Sequence, residues 1–306
     1  MGKSKNLPDY VLTVREYAKL QEYARAFAKG YLNLLLLFGP PGIGKSNCIR
    51  QAVAGDVCWI DGNATAFGIY MAAYEHRNLP LVLDDVDGLY HERQGLRLLK
   101  SLCQTDPLKH VSWQTNAPAL DREGIPRQFM TSSRVAIIAN RWQSLNADVA
   151  ALEDRGHVLY FNPTPVEVHR QAALWFWDQG VFDFVADHLH LVEQPSFRVY
   201  QLAWELKKAG LDWKLAVLSR CLQGTALEVA KLRFDATFSS EENRARAFVE
   251  AGHGCRATYF NHAKKLRSPE FVPKIVLTNK EPQLLAEEKF DLLALLQQRF
   301  GRLGNG

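Results

Sequence analysis

The clearest chemistry in the chain lies in one short run: Gly39, Pro40, Pro41, Gly42, Ile43, Gly44, Lys45 and Ser46. The run satisfies the pattern GxxxxGK[ST], in which glycines let the backbone curl until successive N–H groups converge on one small volume. Phosphate oxygens suit that volume, because the N–H groups and the positive end of a following helix both attract an anion. Lys45 is placed for the β- and γ-phosphates of a nucleotide. The Ser46 hydroxyl is an oxygen ligand for Mg²⁺, which prefers oxygen donors in octahedral geometry. Asn47 completes the segment expected to line the ligand, and the expected cofactors are ATP and Mg²⁺.

A second group follows in LVLDDVD, residues 81–87. It sets Asp84 and Asp85 at the C-terminal end of an apolar strand, the edge at which open α/β sheets bind ligands. Asp84 is expected to hold Mg²⁺, directly or through water. Asp85 is expected to orient or polarise the attacking water, since phosphoryl transfer depends chiefly on positioning and charge stabilisation. Asp87 reads as a turn or cap residue. In RVAIIAN, residues 134–140, a strand ends at Asn140. That side chain is suited to hydrogen-bond the γ-phosphate or the nucleophilic water, with plain turn formation as the other reading.

The elements that must position these groups are legible in the hydrophobic pattern. Apolar runs of strand length at 34–38, 57–60, 81–83, 135–139 and 158–161 alternate with longer amphipathic stretches. That is the pattern of βαβ units, and strands apolar on both faces belong in a mainly parallel sheet covered by helices. After Pro163 and Pro165 apolar residues recur at helical spacing over 166–177, 181–189, 197–209, 213–222 and 226–234. The fold class is therefore α/β: a P-loop parallel-sheet core over 1–162, an all-helical lid over 163–238, and a small helical unit over 239–306. The aromatic residues Trp175, Phe176, Trp177, Trp204 and Trp213 read as lid core rather than as a base-stacking surface.

Composition is that of an ordinary globular chain of 306 residues, 47% hydrophobic and 23% charged, able to bury a large core. The longest apolar run, Leu34 to Phe38, is too short to cross a bilayer. The N-terminus lacks the apolar region of a secretory signal, so a cytoplasmic location is expected. Five scattered cysteines without a CxxC pair argue for reduced thiols rather than disulfides or zinc.

The motifs GPPGIGKS (39–46), LVLDDVD (81–87), VAIIAN (135–140), ALEDRGHVLYF (151–161) and PSFR (195–198) resemble, in order, those of the AAA+ ATPases. The resemblance covers roughly residues 30 to 220. It implies that Asn140 is sensor 1, that Arg155 is a finger reaching a neighbouring subunit's γ-phosphate, with Arg141 as competitor, and that Arg198 is sensor 2 in the lid. A finger acting in trans implies a homo-oligomer. Arg155 also has a plainer reading, as a cation at a helix C-terminus. The acidic pair is Asp-Asp where the family usually has Asp-Glu, a variant resembling the replication-initiator, helicase-loader and transposition-helper branches.

The C-terminal unit reads as a helix-turn-helix: a helix N-capped by Ser240, a Gly252-His253-Gly254 turn, and a second helix over about 255–266. Residues 252–280 hold six Lys or Arg against one acid on a chain of net charge +4. Arg256, Thr258, Tyr259, Asn261, His262, Lys264 and Lys265 are candidate phosphate and base-edge contacts. The other reading is a small helical domain with a solvated cationic face.

Three functions fit: an ATPase that assembles on or remodels a DNA complex, an ATP-driven protein remodeller, or a low-turnover nucleotide-gated adaptor whose ATP is a conformational ligand. No aromatic-hydrophobic pore loop is visible, since Phe67, Tyr70 and Tyr74 read as core helix residues, which favours nucleic acid over protein unfolding. Lys45→Ala is expected to abolish nucleotide binding or turnover; unchanged ATP affinity by calorimetry together with unchanged hydrolysis would refute the loop assignment.

Overall fold

The computed structural model describes residues 7–53, 55–86, 89, 92–114, 118–141, 154–267 and 275–280. Its centre is a six-stranded sheet built from β1 (Leu12–Val14), β2 (Leu34–Phe38), β3 (Cys58–Asp61), β4 (Leu81–Asp84), β7 (Val135–Ala139) and β8 (His157–Phe161). The order is β1-β8-β2-β7-β4-β3, and every pairing is parallel. Parallel neighbours require long crossovers, which here are helices lying on both faces.

That layering explains why β2 is apolar at every position. Leu34, Leu36 and Phe38 face one core cluster with α3 (Ala66–Glu75) and α4 (Arg93–Leu102). Leu35 and Leu37 face the other, with α1 (Tyr17–Ala28) and α2 (Lys45–Ala52). Each buried Leu contributes roughly 2 kcal/mol of apolar transfer.

Two features were missed in the apolar pattern. The strand β1 is only three residues long and pairs with β8. Between α4 and β7 the chain makes an antiparallel hairpin, β5 (Lys109–Ser112) with β6 (Gln128–Thr131). Val111 and Phe129 point into the core as alternation requires, but so does Lys109, which is fully buried and donates to the Ser133 carbonyl. A charged residue at an inward position hides the period-2 signal. A short helix, α5 (Pro118–Arg122), lies within the hairpin connection.

Beyond the sheet lie α6 (Pro165–Ala172), α7 (Gln179–Asp187), α8 (Arg198–Lys208), α9 (Trp213–Cys221), α10 (Gly224–Phe234), α11 (Glu241–Glu250) and α12 (Arg256–Lys265). Side-chain caps start several of them: Thr164 accepts from the Glu167 N–H, Asp178 from Val181, Asp212 from Leu215 and Ser240 from Asn243. The first helix stops at Ala172, well before Trp177. The Trp175–Trp177 stretch instead packs its rings, with Phe176 fully buried and Trp177 edge-on to Trp204 at 5.2 Å.

The helices form two apolar clusters, α6–α8 in one and α9–α12 in the other, with Val217 and Leu218 of α9 contributing one residue to each. The extended segment 275–280 lies back on the first cluster. The Gln179 side chain bonds Ile275 and Leu277, and Asn279 donates to the Ala173 and Phe176 carbonyls. All five cysteines are free, and three are buried. Among the described residues no helix is long and apolar enough to cross a membrane.

One buried titratable group sits inside the first helical cluster. His169 is 1% exposed, stacks on Phe182 at 3.9 Å and shares a hydrogen bond with the Tyr200 hydroxyl, while its Nε2 has no partner among the described residues. Burial lowers its pKa from 6.5 to about 4 against the opposing pull of Asp183. The unfolded chain therefore binds the extra proton first as pH falls. Stability is retained above pH 6.5 and lost between about 6.5 and 4, by up to about 3 kcal/mol. His169→Phe is expected to flatten that acid limb of the melting temperature against pH; an unchanged slope would show the imidazole does not set it.

Candidate nucleotide site

The register of the sheet assembles the site. Leu34–Phe38 of β2 pairs residue for residue with Val135–Ala139 of β7, and Asp84 of β4 pairs with Ile138. The three chain segments leave the sheet side by side, so Gly39, Asp85 and Asn140 emerge along one edge. The phosphate loop then turns into α2, whose N-cap Gly44 has φ 77° and whose first residue is Lys45.

Lys45 is 5% exposed, and its ammonium uses all three donors. It donates to the Gly39 carbonyl at 2.9 Å, the Pro40 carbonyl at 2.8 Å and Asn140 Oδ1 at 3.0 Å. Burial pulls its pKa down to about 8, with Asp85 and Asp84 opposing and Arg198 adding to the fall.

The Asn140 amide also donates to both Asp85 carboxylate oxygens, at 2.7 and 2.6 Å. This orientation of the amide is the one that satisfies both neighbours, since the reverse would set an NH₂ against an ammonium and an oxygen against a carboxylate. Asp85 has φ 56°, a left-handed backbone that costs a non-glycine residue about 1 kcal/mol. Its N–H remains bonded to the Ile138 carbonyl at 3.0 Å. The strained residue is thus fixed at both its backbone and its side chain.

Asp84 lies half-buried beside Ser46. Burial raises its carboxyl pKa, and a hydrogen bond from the Ser46 hydroxyl opposes the rise. Two adjacent oxygen donors, one an acid raised by desolvation, fit a small hard cation that keeps most of its waters. Asn47 follows in the first turn of α2 and Asp87 lies outside the described residues.

The helical unit meets the loop directly. The Phe197 N–H donates to the Gly42 carbonyl at 2.8 Å, a side chain on Gly42 would strike Ser196 Oγ, and one on Gly44 would come within 2.7 Å of the Phe197 ring. Both glycines have positive φ as well. Arg198 follows on the exposed start of α8, close enough for its charge to act on Lys45. Arg155 is placed elsewhere. Its Nη1 donates to the Lys100 carbonyl at 3.0 Å, in the last turn of α4, where the helix dipole favours a cation. Arg141 has interactions of its own and stands at the end of the described part of its loop.

One residue outside the recognised motifs also reaches the loop. Tyr17 is buried, its hydroxyl donates to the Ile43 carbonyl at 2.8 Å, and its ring stacks on Phe197 with centroids 5.9 Å apart. A tyrosine opening an amphipathic helix carries no sequence signal for that contact.

The C-terminal basic helix is only partly as expected. Tyr259 is 0% exposed, and its hydroxyl donates to the Glu241 carboxylate at 2.6 Å. It is a core residue and not a nucleic-acid contact, because α12 turns that position toward Phe248 and α11. Arg256 is bound in two-pronged fashion to the Glu242 carboxylate, and Thr258 is half-buried against Cys255. Asn261, Lys264, Lys265 and Arg267 are exposed, and His262 is half-buried.

No protein-family profile matches the chain. Among curated proteins, a 120-residue stretch, 36% of this chain, is 29% identical to an uncharacterized 36.7 kDa protein from the nrdC-mobD intergenic region of Enterobacteria phage T4. The match spans 37% of that phage protein. Among solved structures, a mutant RuvB of Thermotoga maritima is similar over 81% of this chain and 86% of its own, with 13% identity and a TM-score of 0.43. The FIGL-1 AAA domain in complex with ADP is similar over 95% and 92%, with 14% identity and a TM-score of 0.35. Strand order, phosphate loop, acidic strand end and attached helices define the fold class of this chain: an α/β core with a phosphate loop on a parallel sheet, followed by a helical region.

Asn140→Ala removes the bridge between Lys45 and Asp85. Turnover of ATP is expected to fall about 100-fold, with affinity changed less than about fivefold. Steady-state phosphate release and calorimetry check the pair of numbers, and weakened affinity with turnover unchanged at saturating ATP would assign Asn140 to binding alone.

Proposed function

We propose that this chain binds and hydrolyses Mg-ATP as a homo-oligomer and uses the cycle to assemble on or remodel a DNA-associated complex. The observation that carries the ATPase reading is the linked set Lys45, Asn140 and Asp85, in which one amide ties the phosphate-binding cation to the carboxylate suited to hold water. With nucleotide bound, the loop N–H groups and Lys45 hold the phosphates, and Ser46 and Asp84 hold Mg²⁺, whose charge offsets that of the phosphates. Asp85 orients the attacking water, and Asn140 fixes Asp85. Arg198 approaches the loop from the helical unit. Arg155, detached from the Lys100 carbonyl, is the candidate contribution to a neighbouring subunit's site.

The DNA reading is supported by the exposed Asn261, Lys264, Lys265 and Arg267 on and just after α12. Phe67, Tyr70 and Tyr74 pack in or against the sheet core and offer no pore-facing aromatic group. One observation favours the low-turnover adaptor as a second reading: Asp85 is the shorter acid, and both its oxygens are engaged by Asn140. A protein partner in place of DNA remains the third reading, separated from the first by the same measurements.

The test is the ATPase rate at increasing protein concentration, with and without duplex DNA. Specific activity is expected to rise with concentration and with DNA at low salt, and DNA affinity to fall steeply with salt as counterions are released. Asp85→Asn should bind ATP within about threefold of wild type and lose turnover at least ~100-fold. A flat, DNA-independent rate would remove the oligomer and DNA parts, and wild-type turnover in Asp85→Asn would remove the assignment of that residue.

A further inference from the structure

Two successive carbonyls of the phosphate loop are tied from outside the loop, by different parts of the chain. The Phe197 N–H, at the entry to α8, donates to the Gly42 carbonyl at 2.8 Å. The Tyr17 hydroxyl, at the start of α1, donates to the Ile43 carbonyl at 2.8 Å. A trans peptide is planar, with its C=O and N–H on opposite sides, and no described peptide is cis. Holding the Gly42 carbonyl outward therefore turns the Ile43 N–H the other way, and holding the Ile43 carbonyl does the same for the Gly44 N–H. Those N–H groups belong to the set that the loop pattern assigns to phosphate.

The two ties also meet each other. The rings of Tyr17 and Phe197 stack at 5.9 Å with 28° between planes, and the Phe197 ring covers Gly44. Tyr17 packs edge-on against Phe161 of β8 at 5.0 Å, and Phe197 edge-on against Trp175 at 5.6 Å. The Tyr17 N–H donates to the Glu167 carboxylate, in the first turn of α6, at 3.2 Å. The sheet, the N-terminal helix and the helical unit thus converge on one pair of rings.

We propose that Tyr17 and Phe197 act as a single latch that sets the direction of the Ile43 and Gly44 N–H groups, so that affinity for a nucleotide's phosphates depends on α1 and the helical unit both being seated against the loop. This rests on the nucleotide-binding reading above. Tyr17 is a positioning residue, acting through the loop backbone. By linkage, phosphate binding favours the seated arrangement to the same degree that seating favours phosphate.

The full chain is titrated with ATP, and with inorganic triphosphate in competition, as wild type, Tyr17→Phe, Phe197→Ala and the double variant. Tyr17→Phe keeps the ring and removes only the donor. Its affinity is expected to fall about tenfold for both ligands, Phe197→Ala to fall comparably, and the double variant to fall well short of the hundredfold that independent effects would give. Wild-type affinity in Tyr17→Phe, a loss for ATP without one for triphosphate, or losses that simply multiply would each overturn the latch. If Tyr17→Phe melts below the titration temperature, Phe197→Ala decides: unchanged affinity for both ligands overturns it, and a parallel loss sustains it. A wild-type chain that binds neither ligand defeats the nucleotide reading itself, an outcome distinct from a wild type that binds and a variant that matches it.

Discussion

The parallel pairing of β2 with β7, from Leu34 and Val135 to Phe38 and Ala139, is the constraint on which the rest of the structure depends. Both strands are buried on both faces, so neither can slip by one residue without exchanging its two apolar faces and breaking the ladder. With the register set, Gly39 and Asn140 leave the sheet together, and the neighbouring β4 delivers Asp84 and Asp85 to the same edge. Geometry at the site is inherited from hydrophobic burial in the sheet behind it.

At that edge the polar groups satisfy one another. Lys45 is costly to bury, and three acceptors offset the cost. Asn140 has a donor and an acceptor end, and it spends one on each charge of opposite sign. Asp85 holds a left-handed backbone that an ordinary strand end would not require. Strain of this sort persists where surrounding bonds over-determine a residue, and here those bonds are to the Ile138 carbonyl and the Asn140 amide.

The helical unit is tied to the core at the phosphate loop, through Ser196 and Phe197, and beside it at α1 and the sheet, through Glu167 and Val168. Gly42 and Gly44 leave room for Ser196 and Phe197 where any side chain would collide. The same glycines that allow the loop to curl allow the helices to close over it. Farther out, α9 contributes to both apolar clusters and the 275–280 segment runs back across the first of them.

The phosphate loop, the acidic strand end and the five long sheet strands were determined by the sequence alone, because each depends on local spacing: glycines at fixed intervals, and apolar runs too long for chance. The helices from α6 to α12 were legible for the same reason, except where the 173–177 stretch keeps helical spacing of its rings but not helical backbone. Only the tertiary structure decided the rest. It turned Tyr259 inward toward Phe248 and sent Arg155 to the Lys100 carbonyl. It also placed Lys109 inside the core and brought Tyr17 to Ile43 across 26 residues of chain. Each of those outcomes is set by which surface a side chain meets after folding, and a residue's own neighbours in sequence carry no record of that surface.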